Sequence, residues 1–387
     1  MIAATIVAAS QFAGCASEAP VREATPGGRP QASSDEDNLW YAMQRSEAEL
    51  QSSPQLVHDA ALNAYVRGVA CKVAADFCND LRVYIIEQPQ FNAMIAPNGM
   101  LIVWTGALLR VRNEAELAFV LGHEAGHYRA QHVIKQWRHS KDVSAWMSAF
   151  QVATFGGGLP VAGELGALAG YAALFKFSRE QEREADHLGF DAMVQRGYDP
   201  AAGRDLWARM LREEDTRHYG KTWTMFASHP PTRERLDDVT AAAAATGAHG
   251  GERNVDAYRA ATRPLLSHWL DMELARREYA ASILVVTELL AEAPLQDHGV
   301  LEFYLGEAYR RRADPAGRIE AARHYATAIA LPGAPPAAWR EHGLALRDAG
   351  NHTGAAAALR RYLELAPDAN DRAFVTRYLA ELEGRRP

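Results

Sequence analysis

Cysteine, net charge and unbroken apolar runs are all scarce in this chain. Three cysteines stand in 387 residues, too few for a scaffold built on disulfides. Lysine and arginine number 41 against 48 aspartate and glutamate, a formal net charge of -7. With no basic run, nothing points to a nucleic-acid partner. The stretch Val143–Gly163 carries no charge, but Phe155-Gly156-Gly157-Gly158-Leu159-Pro160 interrupts it. Glycines and a proline in that number argue against one continuous membrane span. What the chain does have is length and apolar content, 48% of 387 residues, enough for two domains that each bury a core.

Chemistry concentrates at His123-Glu124-Ala125-Gly126-His127. Histidines at i and i+4 lie one above the other on a helix face, so both imidazoles reach one metal ion and the glutamate projects toward a further coordination position. The helix is expected without the motif. Asn113-Glu114-Ala115-Glu116 reads as an N-cap with a capping box, and Leu117, Val120, Leu121 and Tyr128 repeat at helical spacing.

Upstream, Leu39 to about Ala75 is helical in pattern. Leu81–Ile86 alternates and is β-branched, so a strand is expected. Phe91–Gly99 holds a Pro-x-Gly turn leading into Met100–Trp104, which predicts a hairpin or short sheet just ahead of the metal-binding helix. The charge-free stretch 143–163 reads as a glycine-hinged apolar loop, either a lid or a surface for membrane or unfolded protein, or else as a buried helix pair. Beyond it, Phe177–Asp186 belongs to a helix that ends at Gly197, and Asp199-Pro200 opens the next. A site with two histidines needs a third protein ligand and an open position for water. Glu180, Glu182 and Glu184 compete for that place, and Glu182 carries Asp186 on its own face at i+4.

Together, His123-Glu124-Ala125-Gly126-His127 and Ser178-Arg179-Glu180-Gln181-Glu182-Arg183-Glu184-Ala185-Asp186 resemble the HtpX/BepA group of zinc metallopeptidases. Asn92-Ala93…Pro97-x-Gly99, Thr105–Leu109 and Ser228-His229-Pro230-Pro231-Thr232…Arg235 are similar to its pattern as well, so the likeness runs from about Leu39 to Asp238. The resemblance implies one zinc ion held by His123, His127 and Glu182, with Glu124 as general base and Asp186 as a partner of the site or proton donor. It implies that His229 can take the open zinc position and keep the enzyme latent; oxyanion stabilisation and helix capping are the other readings. Asn92 and Ala93 are expected to bind an extended substrate by strand addition, or to be structural only. His132, His139 and His187 are expected at the surface or behind the ligands.

At the N-terminus, Phe12-Ala13-Gly14-Cys15-Ala16-Ser17 resembles a bacterial lipobox. Residues 1–15 are then a signal, Cys15 carries lipid, and the protein sits at the outer membrane facing the periplasm. Residues 16–37, rich in proline, glycine and serine, read as a flexible tether. Cys71 and Cys78 either pair, as an oxidising compartment permits, or stay free and buried. The expected peptidase domain covers 38–238, and 239–254, rich in alanine and glycine, reads as a linker. From 255 to 387, Trp339, Gly343, Leu346, Ala355, Leu359 and Pro367 fall where a tetratricopeptide repeat places them. Gly306, Tyr309, Ala321, Tyr325 and Ala328 form a preceding unit, with a short insertion expected around Arg312–Pro315 and a weaker copy near Trp269–Pro294. The expected architecture is therefore mainly α with a small β-sheet: a gluzincin-type metallopeptidase followed by helical repeats whose groove binds a protein partner. The expected substrates are misassembled outer-membrane proteins, and the rival reading is a chaperone or scaffold with latent proteolysis.

Overall fold

A computed structural model describes residues 21–140, 177–216, 229, 233–247 and 250–384. Cys15, the apolar stretch 143–163 and the neighbours of His229 in Ser228–Thr232 lie outside the described residues. Among the described residues, no helix is long and apolar enough to cross a membrane.

The chain enters along residues 21–34, without helix or strand, where the Ala24 N–H donates to the Arg129 carbonyl at 2.8 Å. The helical stretch expected from Leu39 to Ala75 is two helices, α1 (Asp35–Gln51) and α2 (Ala60–Val73). Each has a side-chain cap, Ser34 on the Asp37 N–H at 3.1 Å and Asp59 on the Leu62 N–H at 2.8 Å. Pro54 lies in the break and has no N–H to continue a helix. Past it, Val57 donates to the Ile85 carbonyl at 2.9 Å, alongside the sheet. Cys71 in α2 and Cys78, just after a 3-10 turn, are joined by a disulfide with Cα atoms 4.6 Å apart.

Three strands follow, β1 (Arg82–Ile86), β2 (Ala93–Ile95) and β3 (Met100–Trp104). β2 and β3 make the expected antiparallel pair, and β1 lies parallel to β3 on its other side, giving the order β1-β3-β2. At the turn, Gly99 has φ +84° and a Cβ there would meet the Asp80 carbonyl oxygen at 2.2 Å, so only glycine fits. Alternation divides the sheet between two cores. Ile85, Ala93, Ile95, Leu101 and Val103 join the main core, while Ile86, Met94, Met100 and Ile102 face a second one with Leu39, Met43, Leu50, Ile134, Trp137 and Phe177.

After the short α3 (Thr105–Arg110) comes α4 (Glu114–Arg129), the helix that carries His123 to His127. Asn113 caps it as expected, accepting from the Glu116 N–H at 3.0 Å. The return half of the box differs, since the Glu116 carboxylate takes the N–H of Arg112 at 2.9 Å and not that of Asn113. Every residue from Glu114 to Tyr128 is buried, so α4 is the central rod of the domain and not an amphipathic surface helix. Its polar groups therefore need partners. Glu114, for example, accepts from Tyr65, Tyr198 and Asn254 at 2.8, 2.6 and 3.1 Å.

Against α4 pack α5 (His132–Ser140), α6 (Arg179–Gln195) and α7 (Ala201–Thr216), and α8 (Arg233–Ala245) packs on α6 and α7. The expected linker 239–254 is thus helical as far as Ala245, with Val239 buried. Its alanines are strong helix formers, and that outweighs their loop-like company. Helices α9 (Val255–Thr262), α10 (Leu266–Ala275), α11 (Tyr279–Glu292), α12 (Leu295–Arg312), α13 (Pro315–Ile329), α14 (Pro336–Asp348), α15 (His352–Leu365) and α16 (Arg372–Leu382) complete the chain. In the pairs α12/α13 and α14/α15, small residues mark the crossings. A Cβ on Gly306 would lie 2.4 Å from the Tyr325 ring, and one on Gly343 2.9 Å from Leu359. The insertion expected at Arg312–Pro315 is absent: only Ala313, at φ +62°, and the cap residue Asp314 separate α12 from α13. The main core runs unbroken from Val57 to Ala338, across the peptidase fold and into the C-terminal helices.

Candidate metal centre

Two helices crossing backbone to backbone create the site. A Cβ on Gly122 would stand 3.0 Å from the Gly189 carbonyl oxygen, one on Gly126 3.0 Å from that of Ala185, and one on Gly189 2.5 Å from the His123 nitrogen. Glycine on both sides lets α4 and α6 approach more closely than side chains allow, which brings Glu182 opposite the two histidines. Ser178 starts α6 with a reciprocal capping box to Gln181, setting where the acidic face begins.

His123, His127, Glu182 and His229 are all buried, and one donor atom from each lies within 4.8 Å of the others. Nε2 of His123 and Nε2 of His127 are 3.1 Å apart, and His229 Nδ1 lies 3.3 Å from the former. Glu182 oxygens stand 2.8 Å from His229 Nδ1, 3.6 Å from His123 Nε2 and 3.8 Å from His127 Nε2. The edges of a tetrahedron of nitrogen and oxygen donors around zinc measure about 3.3 Å.

Hydrogen-bond direction supports the same fit. His123 Nδ1 stands 3.0 Å from Asp186 Oδ1, and an ionised carboxylate only accepts, so its charge favours the ring proton on Nδ1 and a lone pair on Nε2. His132 Nε2 faces the Glu184 carboxylate at 3.0 Å, which leaves His132 Nδ1 to accept from His127 Nδ1 at 2.9 Å. His127 Nε2 is then a lone pair too. Two lone pairs 3.1 Å apart beside a carboxylate make a pocket of acceptors that a cation satisfies.

Charges around the cluster are arranged to keep it so. Burial, with the neighbouring imidazoles, holds His127 well below its ordinary pKa and therefore neutral. Burial works against an ionised Asp186, but the Arg235 guanidinium overcomes it with bonds of 2.7 and 2.8 Å to the two oxygens and holds the carboxyl well below its usual range. Arg235 Nη1 also reaches Glu182 Oε2 at 2.8 Å. Glu182 is likewise lowered, against burial, by His229 and Arg235. Burial pushes Glu124 upward, and its Oε1 lies 3.7 Å from His229 Nε2. His229 is raised in spite of burial by the Glu182 and Glu124 carboxylates.

Of the residues read from the sequence, His123, Glu124, His127, Glu182, Asp186 and His229 come together here. Of the rival acids, Glu184 faces His132 instead, and Glu180 sits in the first turn of α6. Asn92 and Ala93 stand at the start of β2, both buried, and β2 pairs with β3 and packs against α4. Three contributors were not singled out in the sequence. Arg235 had been noted only as part of a pattern. Phe177 stacks on His127 with centroids 4.1 Å apart and on His229 at 5.2 Å. The Gly122-x-x-x-Gly126 spacing was the available signal for the close helix crossing.

Residues 55–243 match the family model described as Peptidase family M48. Mitochondrial metalloendopeptidase OMA1 of Schizosaccharomyces pombe is 32% identical over 172 residues, 43% of this chain and 48% of that protein. Metalloprotease YcaL of Escherichia coli strain K12 is 30% identical over 148 residues, 38% of this chain and 56% of that protein. The beta-barrel assembly-enhancing protease of Yersinia pestis is 25% identical over 201 residues, 49% of this chain and 41% of that protein. The chain spans about half the length of the curated relatives it matches. The match and the convergent donor set agree: residues 55–243 are a metallopeptidase domain of family M48.

Proposed function

We propose that the chain is a zinc-dependent endopeptidase of the bacterial periplasm that hydrolyses peptide bonds in misfolded or misassembled outer-membrane proteins. The observation that carries this reading is the buried set His123, His127 and Glu182, with both ring lone pairs turned inward. Imidazole and carboxylate donors in this number suit zinc. A zinc ion bound there would supply a Lewis acid that brings a water's pKa toward neutrality and polarises a peptide carbonyl. Glu124 takes the attacking water's proton and returns it to the leaving amine, and its burial-raised pKa suits a group that must both accept and release. Asp186, clamped by Arg235, holds His123 in the tautomer that binds metal. Asn92 and Ala93, at the start of β2, an edge strand of the sheet among the described residues, receive an extended substrate through main-chain hydrogen bonds.

The substrate class rests on the relatives called beta-barrel assembly-enhancing proteases. The lipobox-like Cys15 supports an outer-membrane anchor, and the Cys71–Cys78 disulfide suits an oxidising compartment. Helices α12 to α15, with small residues at their crossings, support a tetratricopeptide-repeat module that holds a protein partner in its groove.

One observation favours a second reading, a scaffold whose proteolysis is latent: His229 stands inside the donor set and can fill the position water needs. Glu124→Gln separates the two. Casein hydrolysis by the zinc-loaded chain should fall on the order of 10²–10⁴-fold, with zinc content unchanged. If that variant fully restores envelope integrity to a deletion strain, the scaffold reading prevails.

A further inference from the structure

The two helix-borne ligands are held from behind by unlike partners. His123 leans on a carboxylate, Asp186, that Arg235 neutralises. His127 leans on another imidazole, His132, which is fully buried at 0% exposure. A neutral imidazole can donate from either nitrogen, so by itself His132 does not decide which way the His127–His132 hydrogen bond runs. That choice is made one step further out, where His132 Nε2 meets Glu184 at 3.0 Å. Glu184 is on α6, half exposed, and makes no contact with the donor set.

We propose that His132 and Glu184 are positioning residues for the metal: Glu184 sets the direction of the His127–His132 hydrogen bond and so keeps His127 Nε2 free to bind zinc. With a carboxylate at the outer end, His132 donates outward and accepts inward, His127 Nδ1 carries the proton, and Nε2 is bare. With a donor at the outer end, His132 accepts outward and donates inward. His127 Nδ1 must then accept, and its proton moves to Nε2, the atom that faces the metal. A surface acid thus controls the tautomer of a buried ligand through one intervening ring. Phe177, stacked on His127 at 4.1 Å, leaves the ring little freedom to escape by rotating.

This rests on the zinc reading, and its test is arranged so that the two fail differently. Zinc affinity of the full chain is measured by competition with a chromogenic chelator, and histidine tautomers by long-range ¹H–¹⁵N NMR. His132→Ala should weaken zinc binding about 10- to 100-fold, as loss of a ligand's hydrogen-bonding partner does. His132→Asn should recover most of it, because the amide oxygen takes the place of Nδ1 as an acceptor. Glu184→Gln, which keeps an acceptor oxygen but loses the charge, should bind within a few-fold of wild type. Glu184→Lys should fall at least as far as His132→Ala, with His127 observed as the Nε2–H tautomer in the metal-free chain. Circular dichroism identifies any variant that has not folded, and the two conservative variants then carry the test. A wild-type chain that binds no zinc overturns the site itself. A wild-type chain that binds zinc, with His132→Ala and Glu184→Lys equally tight, overturns the relay alone. A loss in Glu184→Gln half as large as in Glu184→Lys would mean that charge, not hydrogen-bond direction, is what matters, and also overturns it.

Discussion

His229 is the residue on which the resting state of the site turns. Its Nδ1 lies 2.8 Å from Glu182 and 3.3 Å from His123, among the atoms that would surround a metal, and Nε2 faces Glu124, the proposed base. A fourth protein ligand there excludes water, whereas an oxyanion donor assists the reaction, so removing the ring has opposite consequences. His229→Ala is expected to raise basal casein hydrolysis by on the order of tenfold, measured with zinc saturating. A fall of about 10²-fold or more would instead mark His229 as a transition-state donor. His123 and His127 were legible in the sequence because i, i+4 spacing is a local geometric fact, whereas Glu182 and His229 were picked out by resemblance to a family. Of the partners behind the donor set, Asp186 was expected, but the pairing of His132 with Glu184 was not. His132 and Glu184 meet across two helices, and nothing in the order of the chain says that a histidine just beyond α4 turns back under it.

The crossing of α4 over α6 is what aligns Glu182 with the histidines, and its closeness depends on Gly122, Gly126 and Gly189. Gly189→Ala puts a methyl group 2.5 Å from the His123 nitrogen, a separation that forces the helices apart. Overpacking of this sort costs about 1–3 kcal/mol, and the expected outcome is a lowered melting temperature together with weaker zinc binding. Gly197→Ala, where a Cβ meets nothing but the backbone has φ +82°, should lower stability while leaving zinc affinity alone. Equal zinc affinity in wild type and Gly189→Ala would separate the crossing from the site. The sequence cap Asn113 located the start of α4, whereas the start of α6 at the Ser178 cap was not marked beforehand. β1 was equally plain from its alternation, and β3 from the Pro-x-Gly turn ahead of it. The parallel pairing of β1 with β3 was not, since it joins segments through a loop and has no turn residues to announce it.

At the scale of the molecule, the two parts read from the sequence share one interior. Arg110, 1% exposed, binds both oxygens of Glu213 at 2.7 Å and Glu273 at 2.8 Å, so α3 and α7 are tied to α10. The apolar core runs past this network to Ala338. Calorimetry should therefore show the peptidase fold and helices α9 to α13 melting in one transition; two well-separated transitions would contradict the shared core. Arg110→Ala removes the buried cation shared by two carboxylates, of which Glu273 keeps Arg276 and Ser282, and should cost about 3–5 kcal/mol of that same transition. Across 239–254, where a linker is expected, α8 continues to Ala245 with Val239 buried; composition describes a segment by itself, and burial against other elements is not written in it.

X-ray absorption at the zinc edge, on the purified full chain, tests the account most directly. We predict one zinc per chain, bound by nitrogen and oxygen donors at about 2.0–2.1 Å, with the histidine contribution reduced in His229→Ala and binding lost in Glu182→Ala. A chain that takes up no zinc, or one that binds it unchanged without Glu182, would contradict the claim that α4 and α6 converge on a single metal ion.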